Sequence, residues 1–238
     1  MKSFAAVLSG AALAMAIACA HAQTSDALAG MQAYNRGDMT DAYRLLRSAA
    51  DAGDPEAEVN LGYMYARGQG VSENQQEAFR LYGLSAAQGD GEGMNALGYK
   101  YFYGSGVAAN PERAVHWYCN AIAQGNPRAM TNLAGMLATG EYVTRDSQEA
   151  VALWQQAADL GHSNAMMNLA IMYAAVGDSA KAQQWLLRAA QKGNPKAIQA
   201  LQLHGYRGAL PPPFDESAMM IPSVRNKPGH TKVCGLTA

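Results

Sequence analysis

The eleven residues LGYMYARGQGV (Leu61–Val71) come back 36 positions later as LGYKYFYGSGV (Leu97–Val107). Leucine, glycine, two tyrosines, both loop glycines and valine stay in register. A further 36 residues gives Leu133-Ala134, and 36 more gives Leu169-Ala170. The turns before these segments keep the same beat at Gly53, Gly89, Gly125 and Gly161, with Gly193 after a shorter step of 32. A fixed period of this length marks stacked supersecondary units, each too small to bury its own apolar face.

Each unit carries two helical patterns. In the first, Ala57, Leu61 and Tyr65 are spaced by four and share one stripe. In the second, Ala78, Leu81-Tyr82 and Ser85-Ala86 make the apolar face. Ala114, Trp117-Tyr118 and Ala121-Ile122 fill the same places in the next unit, then Ala150, Leu153-Trp154 and Ala157-Ala158, then Ala182, Trp185-Leu186 and Ala189-Ala190. Small residues alternating with large ones let neighbouring helices approach and interlock. Pro55, Pro111, Pro127 and Pro195 suit a first helical turn, where the missing N–H costs little.

The pairs Gly68-x-Gly70 and Gly104-x-Gly106 raise the question of a phosphate loop. Such a loop follows a β-strand and occurs once. Here a helical pattern precedes the glycines and the motif repeats, so they end one helix and turn the chain into the next. The third unit degrades the motif to GEYV (Gly140–Val143), and the 32-residue unit joins its helices at VGD instead.

These segments, Ala57–Val71 with Ala78–Tyr82 and Ala114–Tyr118, resemble the Sel-one-like repeat family, the branch of tetratricopeptide-like repeats with a longer glycine-bearing loop. Three 36-residue copies run from about Gly53 to Gly161, and a shorter one reaches Gly193. Asn35–Gly53 matches Ala175–Gly193 and makes a fifth copy, while Asn194–Arg207 reads as a closing helix. The predicted fold is all-α: a solenoid of about five helix pairs and a capping helix over residues 23–208, with an extended proline-containing tail over 209–238. What the resemblance implies is a right-handed superhelix with a concave inner surface, acting as an adaptor or regulator that holds other proteins.

The ends of the chain add a compartment. Residues 1–22 carry Lys2, an uncharged apolar run from Phe4 to Ala18, and the small-x-small triplet Ala20-His21-Ala22 before Gln23. That is the pattern of a secretory signal, and the run is too short for a comfortable membrane span. The expected mature protein is periplasmic or secreted. Cys19 leaves open a lipid anchor, although Ala16 stands where lipoprotein signals usually place leucine. Without Lys2 the chain has 17 basic against 19 acidic residues, which favours neither nucleic acid nor an anionic membrane.

Two cysteines remain, Cys119 and Cys234, and an exported protein sits where a disulfide persists. Cys119 occupies the slot of Gly83 and Gln155 in adjacent repeats, so stacking does not require a thiol there. The residues after Gly208 reach up to roughly 85 Å when extended, enough for Cys234 to return to Cys119. The alternative is two free or intermolecular thiols.

Chemistry-bearing motifs are sparse. His116, His162, His204 and His230 are never at paired ligand spacing, and no His-Glu-x-x-His, Cys-x-x-Cys or Gly-x-Ser-x-Gly occurs. No catalytic residue, metal site or cofactor is therefore expected. His116 and Cys119 lie one turn apart, but no third group is evident to orient a thiolate pair. A cysteine-rich branch of the family binds or hydrolyses β-lactams. This chain lacks that branch's recurring cysteine pairs and has no Ser-x-x-Lys or Lys-Thr-Gly, which counts against an enzyme of that kind; a binder of peptidoglycan fragments or β-lactams is the alternative function.

The expected binding face follows from phase. With Ala57, Leu61 and Tyr65 turned into the stack, Asn60, Tyr63 and Arg67 share the neighbouring stripe, which by resemblance faces the concave groove. Asn132 and Asn168 continue the asparagine row, with Asn95 beside its interruption at Ala96, and Tyr99, Phe102 and Tyr103 add an aromatic patch. Amides pair with an extended backbone whatever its side chains, and tyrosine supplies broad contact area. These residues define the expected site for a protein or peptide partner in the cell envelope.

Overall fold

The structure is a computed structural model, and it describes residues 26–203 and 233–235. The signal segment with its cleavage site at Ala22-Gln23, Cys19, and the tail's Pro211–Pro213 and Ala218–Pro222 lie outside the described residues.

The described chain divides into two compact units, residues 1–109 and 110–238. The first holds α1 (26–36), α2 (Met39–Asp51), α3 (Pro55–Arg67), α4 (Gln75–Ala87) and α5 (Gly91–Tyr103). The second holds α6 (Pro111–Ala123), α7 (Pro127–Thr139), α8 (Ser147–Asp159), α9 (Ser163–Ala175), α10 (Ser179–Gln191) and α11 (Pro195–Leu203). No strand occurs among the described residues.

Local chemistry starts and stops these helices. Asp38, Asp54, Asn74, Asp90, Asn110, Asn126, Asp146 and Asp178 each stand at an N-cap, with the side chain accepting from the backbone N–H three residues on. Each such cap satisfies one of the amides that helix geometry leaves unpaired, worth about 1 kcal/mol. His162 takes the cap position of α9 without capping it. Its Nδ1 lies 2.8 Å from Thr131 Oγ1 in the preceding pair instead, a packing role. Gly68, Gly104 and Gly140 end α3, α5 and α7 in the left-handed conformation.

In the first unit the core is built from Leu46, Ala57, Leu61, Met64, Ala78, Leu81 and Tyr82, all essentially sealed from solvent. Tyr82 lies against the bare backbone of Gly62, where a Cβ would stand 2.6 Å from the ring. Burial holds its phenol well above the usual tyrosine range. The second unit repeats the scheme with Ile122, Leu133, Leu137, Leu153, Met166 and Leu169. Trp154 sits in that core and its indole N–H donates to the Thr131 carbonyl at 3.3 Å. Trp117, expected on the apolar face of α6, is only half-buried. Ala114, Tyr118, Ala121 and Ile122 carry the contact without it.

The second loop glycine has a packing reason. A Cβ on Gly70 would stand 2.7 Å from the Met39 carbonyl oxygen, and one on Gly106 would stand 2.2 Å from that of Gln75. Met39 and Gln75 open α2 and α4, so each loop lies on the start of the second helix of the preceding pair. Only glycine lets the backbones approach so closely at positive φ.

Candidate functional site

The first-helix face of unit 1 comes from α3 and α5. Asn60 is half-buried and Arg67 exposed, as the stripe predicts. Tyr63 is more committed. Its hydroxyl donates to Glu92 Oε1 at 2.6 Å, its ring meets Tyr82 edge-on at 5.5 Å, and the Arg67 guanidinium lies 5.7 Å over it. Tyr63 thus braces α3 against the first turn of α5. Glu92, which this bond requires, was not picked out from the sequence.

Further along α5 the aromatic patch is open. Tyr99 is 48% exposed and Tyr103 61%, with ring centroids 4.5 Å apart, and Phe102 meets Tyr103 edge-on at 4.8 Å. Asn95 is the exception. It is 5% exposed and does not join the row. The reason is phase: Asn95 sits in the register of Val59 and Thr131, both buried, whereas the asparagine row continues through Ala96. One residue on a helix is about 100° of rotation.

In unit 2, Asn132 on α7 and Asn168 on α9 are half-buried. Ile171, 36-residue counterpart of Tyr99 and Tyr63 through Gly135, is exposed beside Asn168. A shift by the period would have found it.

Two buried charges in unit 1 also escaped sequence reasoning. Glu58 accepts from Gln88 Nε2 at 2.9 Å, and burial holds its carboxyl above the usual range. The Lys100 ammonium donates to Gln75 Oε1 and lies 5.8 Å over the Tyr82 ring, and burial lowers its pKa. Gln75 Nε2 in turn donates to the Ala66 carbonyl at 2.9 Å and to Glu73 Oε1 at 2.7 Å, so Lys100 supports the α3–α4 loop.

In unit 2 the structure joins Cys119 to Cys234 through a disulfide. His116 lies 3.1 Å from Asn120 Nδ2 and does not serve a thiolate. Among the described residues no group of three or more His, Cys, Asp or Glu could hold a metal ion, and no helix is long and apolar enough to cross a membrane.

Helix pairs on a 36-residue period, a glycine-bearing loop in each, and a face of amides and aromatics on the first helices define an α-solenoid repeat protein. The chain belongs to the Sel1 repeat family, whose repeat matches residues 28–54, 55–90, 91–126, 127–162 and 163–194. A Sel1 repeat protein from Oxalobacter formigenes is 30% identical with a TM-score of 0.64, over 76% of this chain and 77% of that one. The protein c5321, a protective antigen of uropathogenic Escherichia coli strains with an SLR fold, is 28% identical with a TM-score of 0.60. That match covers 80% of this chain but 43% of the E. coli protein. The immunity protein Pa5087 from Pseudomonas aeruginosa shares the fold at 24% identity and a TM-score of 0.55, over 67% of this chain and 60% of its own. No curated protein matches the sequence. Sel1 repeat proteins generally mediate protein interactions and are typically non-catalytic scaffolds.

Proposed function

We propose that this protein is a non-enzymatic scaffold of the cell envelope that holds a protein or peptide partner on the first-helix faces of its repeats. The observation that carries the reading is the Tyr99–Tyr103 pair, two rings held against each other and still open to solvent on α5. Preorganised aromatics give contact area at little entropic cost, the property of interface anchors. Asn60 and Arg67 on α3 supply polar partners on the same unit, and Asn132 and Asn168 offer amides on unit 2. Export rests on the N-terminal sequence alone, and the mature chain then begins at Gln23.

The test is capture from envelope extract by the tagged mature protein, read by mass spectrometry. A protein enriched by wild type and lost from Tyr99→Ser/Tyr103→Ser, with the helical circular dichroism unchanged, supports the reading. Equal capture by both removes this face as the site. N-terminal sequencing of the protein purified from whole cells that finds Lys2 still present throughout, with none in the envelope fraction, removes the compartment.

A further inference from the structure

One stripe of α3 reads Glu56, Asn60, Tyr63 and Arg67, and 36 residues on α5 carries Glu92, Ala96, Tyr99 and Tyr103 in the same register. The first-turn acid and the tyrosine seven residues later are kept, while a second tyrosine replaces the arginine. In α3 that arginine sits on its neighbour: the Arg67 guanidinium lies 5.7 Å over the Tyr63 ring, since a spacing of four brings the two side chains together. Rings elsewhere in the fold keep similar company, with Lys181 5.1 Å over Tyr173 and Arg188 4.5 Å over Trp185. On α5 the exposed pair has no such guest among the described residues. Lys100, the one cation of this helix, is buried, donates to Gln75 Oε1 and lies over Tyr82 instead. Tyr99 and Tyr103 meet each other, Phe102 meets Tyr103, and much of both tyrosines is left to solvent.

We propose that the Tyr99–Tyr103 pair is an arginine-receiving site: a partner protein or peptide seats a guanidinium on these rings, as Arg67 sits on Tyr63 one repeat earlier. The inference rests on the reading that this face holds the partner, and it adds what that partner must present. Charge favours a cationic guest. Residues 26–109 hold six basic and eleven acidic side chains, a formal charge of −5, and the α5 stripe itself contributes Glu92 and no cation. Such a field draws cations towards unit 1 and turns anionic segments away. Arginine suits the rings better than lysine does, because its planar, weakly hydrated guanidinium stacks on an aromatic face while an ammonium keeps its water. Its N–H groups can also supply the phenol oxygens, which a purely apolar anchor would cover without a hydrogen bond.

The test uses the full chain and fluorescein-labelled peptides in which serine alternates with arginine, with lysine, or with citrulline, the neutral isostere of arginine. Binding is read by fluorescence polarisation at low ionic strength. The arginine peptide is expected to bind about threefold more tightly than the lysine peptide and about tenfold more tightly than the citrulline peptide. Tyr99→Ser/Tyr103→Ser should weaken the arginine peptide about tenfold, whereas Tyr99→Phe/Tyr103→Phe, which keeps both rings, should weaken it by no more than about threefold. Helical circular dichroism is the control for folding, and if the serine variant loses helix the peptide series on wild type still decides the matter. Three results overturn the proposal: a citrulline peptide that binds as well as the arginine one, a folded serine variant with wild-type affinity, or no binding of the arginine peptide to wild type. Capture from envelope extract separates this failure from that of the wider reading. Capture that still depends on Tyr99 and Tyr103 keeps the face and overturns only its arginine guest, whereas capture indifferent to them removes the face and the proposal together.

Discussion

Where unit 2 places Met130 and Met166, the equivalent position in α3 of unit 1 holds Glu58. Where unit 2 places Met136, unit 1 has Met64 in α3 but Lys100 in α5. All of these are buried, so unit 1 encloses two charges in places that the period otherwise gives to methionine. The loops differ in the opposite sense. Unit 1 has Gly70 and Gly106 where the backbone meets the preceding pair, while unit 2 has Tyr142 in that register at φ 62°, the described non-glycine residue with positive φ. Unit 2 also has the disulfide. One repeat thus tolerates strain in different places: in unit 1 two charges in methionine slots, held by side-chain amides, and in unit 2 a buried Glu149, a strained loop and a covalent tie. A period fixes which slots exist. It does not oblige each slot to be filled in the way that costs least.

The largest expected effect that sharpens this contrast is loss of the tie. The bridge closes a loop of 115 residues, which the chain-entropy account values at up to about 5 kcal/mol, exerted on the unfolded chain. Cys119→Ser should therefore lower the stability of α7–α10 substantially, read as hydrogen-exchange protection in those helices under mild denaturant. The same variant should leave the helical signal in buffer intact. Protection in α7–α10 equal to wild type would show that the tie contributes nothing to unit 2.

Next comes the loop contact of unit 1. Gly106→Ala places a Cβ 2.2 Å from the Gln75 carbonyl oxygen at φ +80°, an overlap with backbone that no side-chain movement relieves. A cost of about 3 kcal/mol is expected from left-handed strain and displacement of the loop together. Urea unfolding checks it, and a change below about 0.5 kcal/mol would mean that the loop does not lie on the start of α4.

The buried ammonium gives a smaller effect with a sign that pH reveals. Burial lowers the pKa of Lys100, so in the window below the ordinary lysine value the unfolded chain binds more protons than the folded one. Stability contributed at this site therefore rises with pH through that window. Lys100→Met, which restores the residue of Met64 and Met136, removes this slope. It should also stabilise the protein by about 1 to 2 kcal/mol at neutral pH, as buried charges replaced by apolar residues often do. Urea unfolding of both proteins between neutral and alkaline pH tests it. A constant difference between them across that range would show that Lys100 is not buried as a cation.

The smallest effect is in the loop of unit 2. Tyr142 is 60% exposed, so Tyr142→Gly loses little packing. It releases left-handed strain of about 1 to 2 kcal/mol and returns part of that as unfolded-state entropy. A net gain near 0.5 kcal/mol is expected in thermal unfolding, and a loss instead would mean that the tyrosine ring holds the loop in place.

Much of this protein follows from sequence because its information is local and periodic. The helices, the aspartate and asparagine caps, and the glycines that turn one helix into the next all depend on neighbours within a few residues, and the period carries them from copy to copy. The exposed pair Tyr99 and Tyr103 follows from the same phase argument. Asn95 fails it by one position, because one residue of rotation separates the row of Asn60 from the buried slot of Val59. Only the tertiary structure decided that Tyr63 is committed to Glu92, that Glu58 and Lys100 are enclosed, and that Val233 meets Glu149. Those contacts join residues 29 and 84 positions apart in two of these cases. Helical periodicity determines which side of its own helix a residue occupies, but the neighbour it meets there is set by how separate helices and a returning chain end pack in space.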